Sequence, residues 1–220
     1  MPIWKAPNLD FDVDVVLRAQ GADPQTLRGR SPRLVETAER ALEEGRVLLE
    51  PQTIFRELDV SVLRHERLVL ENGATLSGQL VAQHLGIAER IVVILCTVGE
   101  ELEACASETS NDNLVYSLAL DGVGSAAVET LANAVCRNFE DRADGLGLQS
   151  SIPISPGMLG WPVNVGQPEI FAILETEKIN VKLSAHGLMK PRKSLSMVLG
   201  FGPSMQTSGK TCDSCAWMHK

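Results

Sequence analysis

Pro153-Ile154-Ser155-Pro156-Gly157-Met158-Leu159-Gly160-Trp161, with Pro162 directly behind, belongs to no regular element. Pro153 and Pro156 fix φ, while Gly157 and Gly160 open backbone conformations closed to other residues. One large aromatic sits among them, and the segment has no net charge. A regular helix or a central strand is excluded, which leaves a loop with a shape to keep. Two uses of such a loop stay open: a functional surface, or a rigid connector whose Trp161 caps a core.

Downstream, Ile170, Phe171, Ile173 and Leu174 suit a helix over residues 166–177. Strands are expected at 180–184 and 195–201, on either side of a Gly187-Leu188-Met189-Lys190-Pro191 corner. Gly202-Pro203-Ser204 closes the folded part, and residues 206–210 read as a tether. Upstream, Leu114, Leu118, Leu120, Val123, Ala127, Val128, Leu131, Val135 and Phe139 mark the buried stripe of one long helix, or two in series, over 113–142. Gly122, Gly124, Ser125, Ala126 and Ala127 leave one side of it nearly bare. That costs helix propensity and implies a packing or ligand reason. Asp121 and Glu129 are its carboxylates of interest.

The run Arg90-Ile-Val-Val-Ile-Leu-Cys-Thr-Val-Gly lacks alternation and reads as a central strand covered on both faces. Glu100, Glu101 and Glu103 then suit the positive end of a following helix. Residues 53–60 and 67–71, the latter ending at the turn dipeptide Asn72-Gly73, predict a small antiparallel unit. Ser77 is expected to cap a helix over 78–85 closed by Gly86, with His84 packed on its apolar face. Ser31-Pro32 predicts the start of an amphipathic surface helix. A shorter helix runs from Asp14 to Gly21, with a turn at Pro24 behind it. Residues 1–12 read as an irregular arm anchored by Trp4.

The net charge of −8 and the pI near 5.1 argue against nucleic acid or an anionic membrane surface as partner, because phosphate-dense surfaces need a basic face. No continuous apolar run reaches the length of about 20 residues that crosses a bilayer. The N-terminus lacks the order of a signal peptide, so a cytoplasmic protein is expected. Cys96, Cys105 and Cys136 lie in apolar or helical surroundings as small hydrophobes, whereas Cys212 and Cys215 form a Cys-x-x-Cys pair able to hold a metal or cycle through a disulfide. That pair supplies only two of the four ligands of a closed zinc site. No Gly-rich phosphate loop, nucleophile elbow or His-Glu-x-x-His run is present, so hydrolase and kinase chemistry have no visible carriers.

Four blocks taken together carry a family resemblance: Ser155-Pro156-Gly157; Gly160-Trp161-Pro162 with Gln167 and Phe171 behind; Gly187-Leu188-Met189-Lys190-Pro191; and Lys193-Ser194-Leu195-Ser196. In this order and spacing they resemble the C-terminal half of the activation domain of cobalamin (vitamin B12)-dependent methionine synthase. The likeness is closer still to free-standing activation-domain-like proteins beside corrinoid methyl-transfer systems. It weakens through the helical middle and is one of general layout in the first half.

The resemblance implies an α+β protein in which a mixed or antiparallel sheet packs with helices. Residues 1–88 would form an N-terminal helical and small β region, 89–203 the activation-domain-like core, and 204–220 a Cys-containing tail. It further implies a cofactor, S-adenosylmethionine, held in a shallow groove by the Pro-Gly loop, and cobalamin on a partner corrinoid protein or methyltransferase. The candidate cofactor-binding residues are Ser155, Pro156, Gly157, Met158, Gly160, Trp161, Lys193 and Ser194; the candidate metal ligands are Cys212 and Cys215. Pro153 stands where the family has an arginine for the methionine carboxylate, and Met158 where it has a tyrosine. Losing such a charged contact costs about 2–5 kcal/mol. Arg192 and Lys193 are the available replacements, although Lys193 by composition suits the surface. The implied role is assistance in reductive reactivation of a cobalamin methyltransferase, accessory to methyl transfer rather than self-sufficient. Two other readings stand beside it: a scaffold that docks on a corrinoid protein through an exposed Trp161 loop without S-adenosylmethionine, and a metal or redox carrier centred on the Cys pair.

Overall fold

The computed structural model describes residues 1–5 and 9–206. In chain order they form β1 (Ile3–Lys5), α1 (Val13–Ala19), α2 (Pro24–Arg30), α3 (Pro32–Arg46), β2 (Gln52–Arg64), β3 (Arg67–Leu70), β4 (Thr75–Ser77) and α4 (Gln79–Leu85). Then follow β5 (Arg90–Thr97), α5 (Glu101–Thr109), α6 (Leu114–Gly145), β6 (Gln149–Ser150), α7 (Val163–Ile173), β7 (Lys182–Leu183), β8 (Met189–Lys190) and β9 (Ser194–Gly202). A 3-10 turn at Thr176–Ile179 leads from α7 towards β7. The principal sheet runs β4-β3-β2-β5-β9-β6, with β1 also on β2, and every pairing in it is antiparallel. β7 and β8 make a separate two-stranded ribbon.

β5 is central because its side chains are apolar in both directions. Val92, Ile94 and Cys96 enter one core with α6, while Ile91, Val93 and Leu95 enter a second core with α4, α7 and the 153–162 loop. All six are fully buried, and burying a Val, Ile or Leu side chain is worth about 1.5–3 kcal/mol. β2 pairs with β5 as far as Asp59, then turns away to pair with β3 past an irregularity between Val60 and Val62. Such bulges bend a strand, and here the sheet curls. The fold is therefore α+β, with helices on both faces of an antiparallel sheet.

α6 is one continuous helix of 32 residues. It is long and apolar enough to cross a bilayer by length and composition, a property that continuous apolar runs do not reveal, and 61% of its most apolar window is buried in the protein's own interior. Its bare side has a packing reason. A Cβ on Gly122 would lie 2.6 Å from Gln20 Cγ, and one on Gly124 would lie 3.0 Å from Lys193 Cγ. Gln20 Nε2 donates to Leu118 O at 2.8 Å, so the Gln20 side chain lies across α6 and is tied to it.

Several local expectations change. Pro24 opens α2 rather than a turn, because Asp23 Oδ1 accepts from Thr26 N at 2.7 Å and caps a helix. Ser31 and Ser77 make no side-chain cap: α3 starts without one, α4 starts from Gly78, and Ser77 N instead donates to Glu169 Oε2 at 2.9 Å. α7 begins at Val163 and tolerates Pro168 inside it. The N-terminal arm contains β1, and Trp4 on it is 40% exposed while lining a pocket with Phe55, Val135 and Phe139. Gly86 does close α4, and His84 is buried on it as expected.

Candidate functional site

The 153–162 loop is tied to the sheet at one end and to the second core at the other. Ile154 exchanges two backbone bonds with Val198 of β9, at 3.0 and 2.8 Å. Inside the loop Gly157 N donates to Trp161 O at 2.8 Å, Trp161 N to Met158 O at 3.0 Å, and Met158 N to Ser155 O at 3.2 Å. This closed turn needs Gly157 at φ +102, which a side chain would strain. Gly157 faces solvent, while the neighbouring Met158 is buried and its Sδ accepts from Ser155 N at 3.1 Å.

Trp161 is fully buried. Of the two uses of the loop, the capping of a core is the one this residue serves, and docking through an exposed Trp161 is ruled out. The apolar side chain at the loop's surface is Leu159, 60% exposed. Trp161 lies in a slot where Cβ atoms on Gly166 and Gly78 would stand 2.6 and 3.1 Å from its ring, and its Nε1 has no partner among the described residues. Gly160 O accepts from Leu80 N at 3.2 Å, which seats the loop under the start of α4.

Two of the resembled blocks meet at Val163. Its Cγ2 and Cγ1 stand 3.1 and 3.2 Å from where Cβ atoms on Gly157 and Gly187 would be, so the Pro-Gly loop and the 187–191 corner abut the same side chain. Gln167 of α7 is buried and reaches Ser196 of β9, Oε1 accepting from Oγ at 3.1 Å. Ser194 is buried; its Oγ donates to Pro191 O at 2.8 Å and lies 3.0 Å from Thr97 Oγ1. Its hydroxyl is thus committed to the fold. Beyond the bridge to Ile154, β9 has no partner strand on the loop side, although Ser194 and Ser196 are themselves buried there. Val198 turns its N–H and C=O to Ile154, so by alternation Ser196 and Ser194 turn theirs the same way, and no named strand pairs there.

Lys193 is not a surface residue. Its side chain is 15% exposed and crosses to α6, with Nζ 2.8 Å from Asp121 Oδ1 and 2.9 Å from Ser125 Oγ. Glu129, one turn further, has its pKa raised by burial, with the Lys193 charge opposing. The bare side of α6 and Asp121 are thereby explained together: Gly124 lets the lysine stem lie flat and Asp121 receives its charge. The sequence pointed to each partner separately but not to their pairing. No described contact joins Lys193 to the Pro-Gly loop. Arg192 is exposed, and its backbone N donates to Glu103 Oε2 at 2.8 Å.

Cys212 and Cys215 lie outside the described residues. Burial pushes the thiols of Cys96 and Cys136 up to about 12, which makes both poor nucleophiles and ligands. No group of three or more metal-ligating side chains occurs among the described residues.

The sequence matches no protein-family model and no curated protein. Its fold matches the crystal structure of the MetH reactivation domain bound to AdoHcy, with a TM-score of 0.62 and 16% identity. The match spans 96% of this chain and 80% of that one. The chain shares the fold of that domain.

Proposed function

We propose that this protein assists reactivation of a corrinoid methyltransferase, using the Pro156-Gly157 loop and the adjoining unpaired edge of β9 as the face that takes an S-adenosylmethionine-type ligand. One observation carries the reading: the Pro-Gly block that resembles the activation-domain motif adjoins an unpaired strand edge, in a fold shared with a domain whose structure holds AdoHcy. An exposed Gly157 beside peptide groups that have no strand partner suits a flat, hydrogen-bonding ring, Ser194 and Ser196 being buried on that edge, and helix α7 starting at Val163 fixes the loop's exit. S-adenosylmethionine, when bound, supplies an electrophilic methyl group that reduced cobalt accepts as AdoHcy departs. The chain's own contribution is binding and orientation, with no acid–base group required.

The fit is good for the backbone and poor for the side chains. Pro153 offers no cation, Met158 is turned inward, and Lys193 is already engaged by Asp121. These features favour a second reading, in which the protein docks on a corrinoid partner and has given up the nucleoside ligand. Titration calorimetry of S-adenosylmethionine and of AdoHcy into the purified chain, repeated with Pro153→Arg, separates the two. Micromolar binding by the original chain supports the ligand-dependent role. Binding gained only in Pro153→Arg supports the scaffold reading, and binding in neither removes the ligand face.

A further inference from the structure

A second feature adjoins the 160–162 end of the same loop. β2 and β3 join through the two-residue turn His65-Glu66, and the register sets Arg64 directly opposite Arg67. Like charges facing each other across an antiparallel pair are destabilising. Arg18, Arg28, Arg40, Arg90 and Arg142 meet carboxylates, whereas among the described residues Arg64 and Arg67, like Arg30, Arg33 and Arg192, make no ion pair or hydrogen bond through the guanidinium; what sets Arg64 and Arg67 apart is that they face each other. His65 between them holds a left-handed φ of +55, the conformation that the first residue of a two-residue hairpin turn takes.

Both arginines and His65 edge an open groove of about 850 Å³ that runs to Gly160, Pro162 and Val165. Its size is that of a small-molecule site, and Val69, Pro162 and Val165 give it apolar walls. Glu66 is the one acidic residue on its lining, and no ion pair joins it to either guanidinium among the described residues. A paired cation at one end of an apolar trough matches one anionic group on an apolar body. It does not match a phosphate-dense surface, which the overall charge of −8 would repel.

We propose that this groove binds a small anionic ligand, a phosphate or carboxylate carried on a ring or short apolar chain, with Arg64 and Arg67 clamping the anion. Guanidinium groups present paired donors that suit both head groups. The site is distinct from the Pro156-Gly157 face, and only the 160–162 end of the loop is common to the groove and that loop.

The test uses the full chain in phosphate-free buffer and phenyl phosphate as probe, with phenol as its uncharged counterpart, read by calorimetry and by shifts of the Arg64 and Arg67 side-chain N–H resonances. Saturable binding of phenyl phosphate is expected, weaker by about tenfold or more for phenol and for the Arg64→Gln/Arg67→Gln variant. That variant should keep its circular dichroism and melt no lower than the original chain, because it removes a repulsion rather than a buried contact. Absence of binding, equal binding by the variant, or shifts confined to other residues would overturn the proposal. So would binding of an acidic peptide such as oligoglutamate without binding of phenyl phosphate, which would mark a protein-docking surface instead. Phenyl phosphate has neither sulfonium nor adenine, so the result does not depend on the S-adenosylmethionine titration.

Discussion

At the scale of single residues, Trp161 shows how tightly the loop is fitted. Gly166→Ala would force a Cβ to within 2.6 Å of its indole, and a clash of that kind in a close-packed core costs about 1–3 kcal/mol. Urea denaturation should show a lower midpoint with an unchanged slope. His84 is the residue whose protonation matters to stability. Burial lowers its pKa, so the folded state prefers the neutral ring. Its contribution is complete above the unfolded value near 6.5 and is lost as pH falls through the lower folded value. Melting temperatures from pH 7 down to pH 5 should therefore fall, and His84→Leu should flatten that slope. A slope unchanged in the variant would assign the acid sensitivity elsewhere.

At the scale of elements, the β2–β3 hairpin and α6 teach different lessons. In the hairpin, Arg67→Glu replaces a facing like-charged pair with an attractive one, and thermal melting should show a gain of about 0.2–1 kcal/mol that shrinks in high salt. In α6, the bare side was legible from Gly122 and Gly124, and the structure supplies its occupants, Gln20 and Lys193. Neither occupant was legible, because both come from distant parts of the chain and nothing local marks a side chain that will lie across a glycine. Helix ends were read well where a cap is a matter of backbone, as at Gly86. They were read poorly at Ser77, whose amide is taken by Glu169 from a helix far along the chain.

At the scale of the whole molecule, β5 is common property of two cores, and the second contains the 153–162 loop. Ile94→Ala, at a fully buried site in the middle of the strand, should cost about 2–5 kcal/mol. Far-ultraviolet and near-ultraviolet circular dichroism should still report a single coincident transition, because neither layer keeps a complete floor without β5. Two separate transitions would show that the layers are energetically independent. The central strand was legible in the non-alternating apolar run at 91–98, and the fold class in the resemblance carried by the blocks between Ser155 and Ser196. The curl of the sheet was not, since it depends on β2 leaving β5 after Asp59, a choice made by strands far apart in sequence. The candidate ligand face was half legible: Pro156 and Gly157 announce a shaped loop, but the unpaired edge of β9 beside it exists only once the strand order is known.

The unequal settings of two tryptophans give the protein its own optical reporters. Trp161 is sealed in the interior, whereas Trp4 stands 40% exposed on a short outer strand. A small neutral quencher such as acrylamide should reach one ring and spare the other. In a Trp217→Phe background, a protected and a quenchable component of emission would therefore separate, and any partner that pulls the loop from its slot would turn the protected light into quenchable light without a label being attached.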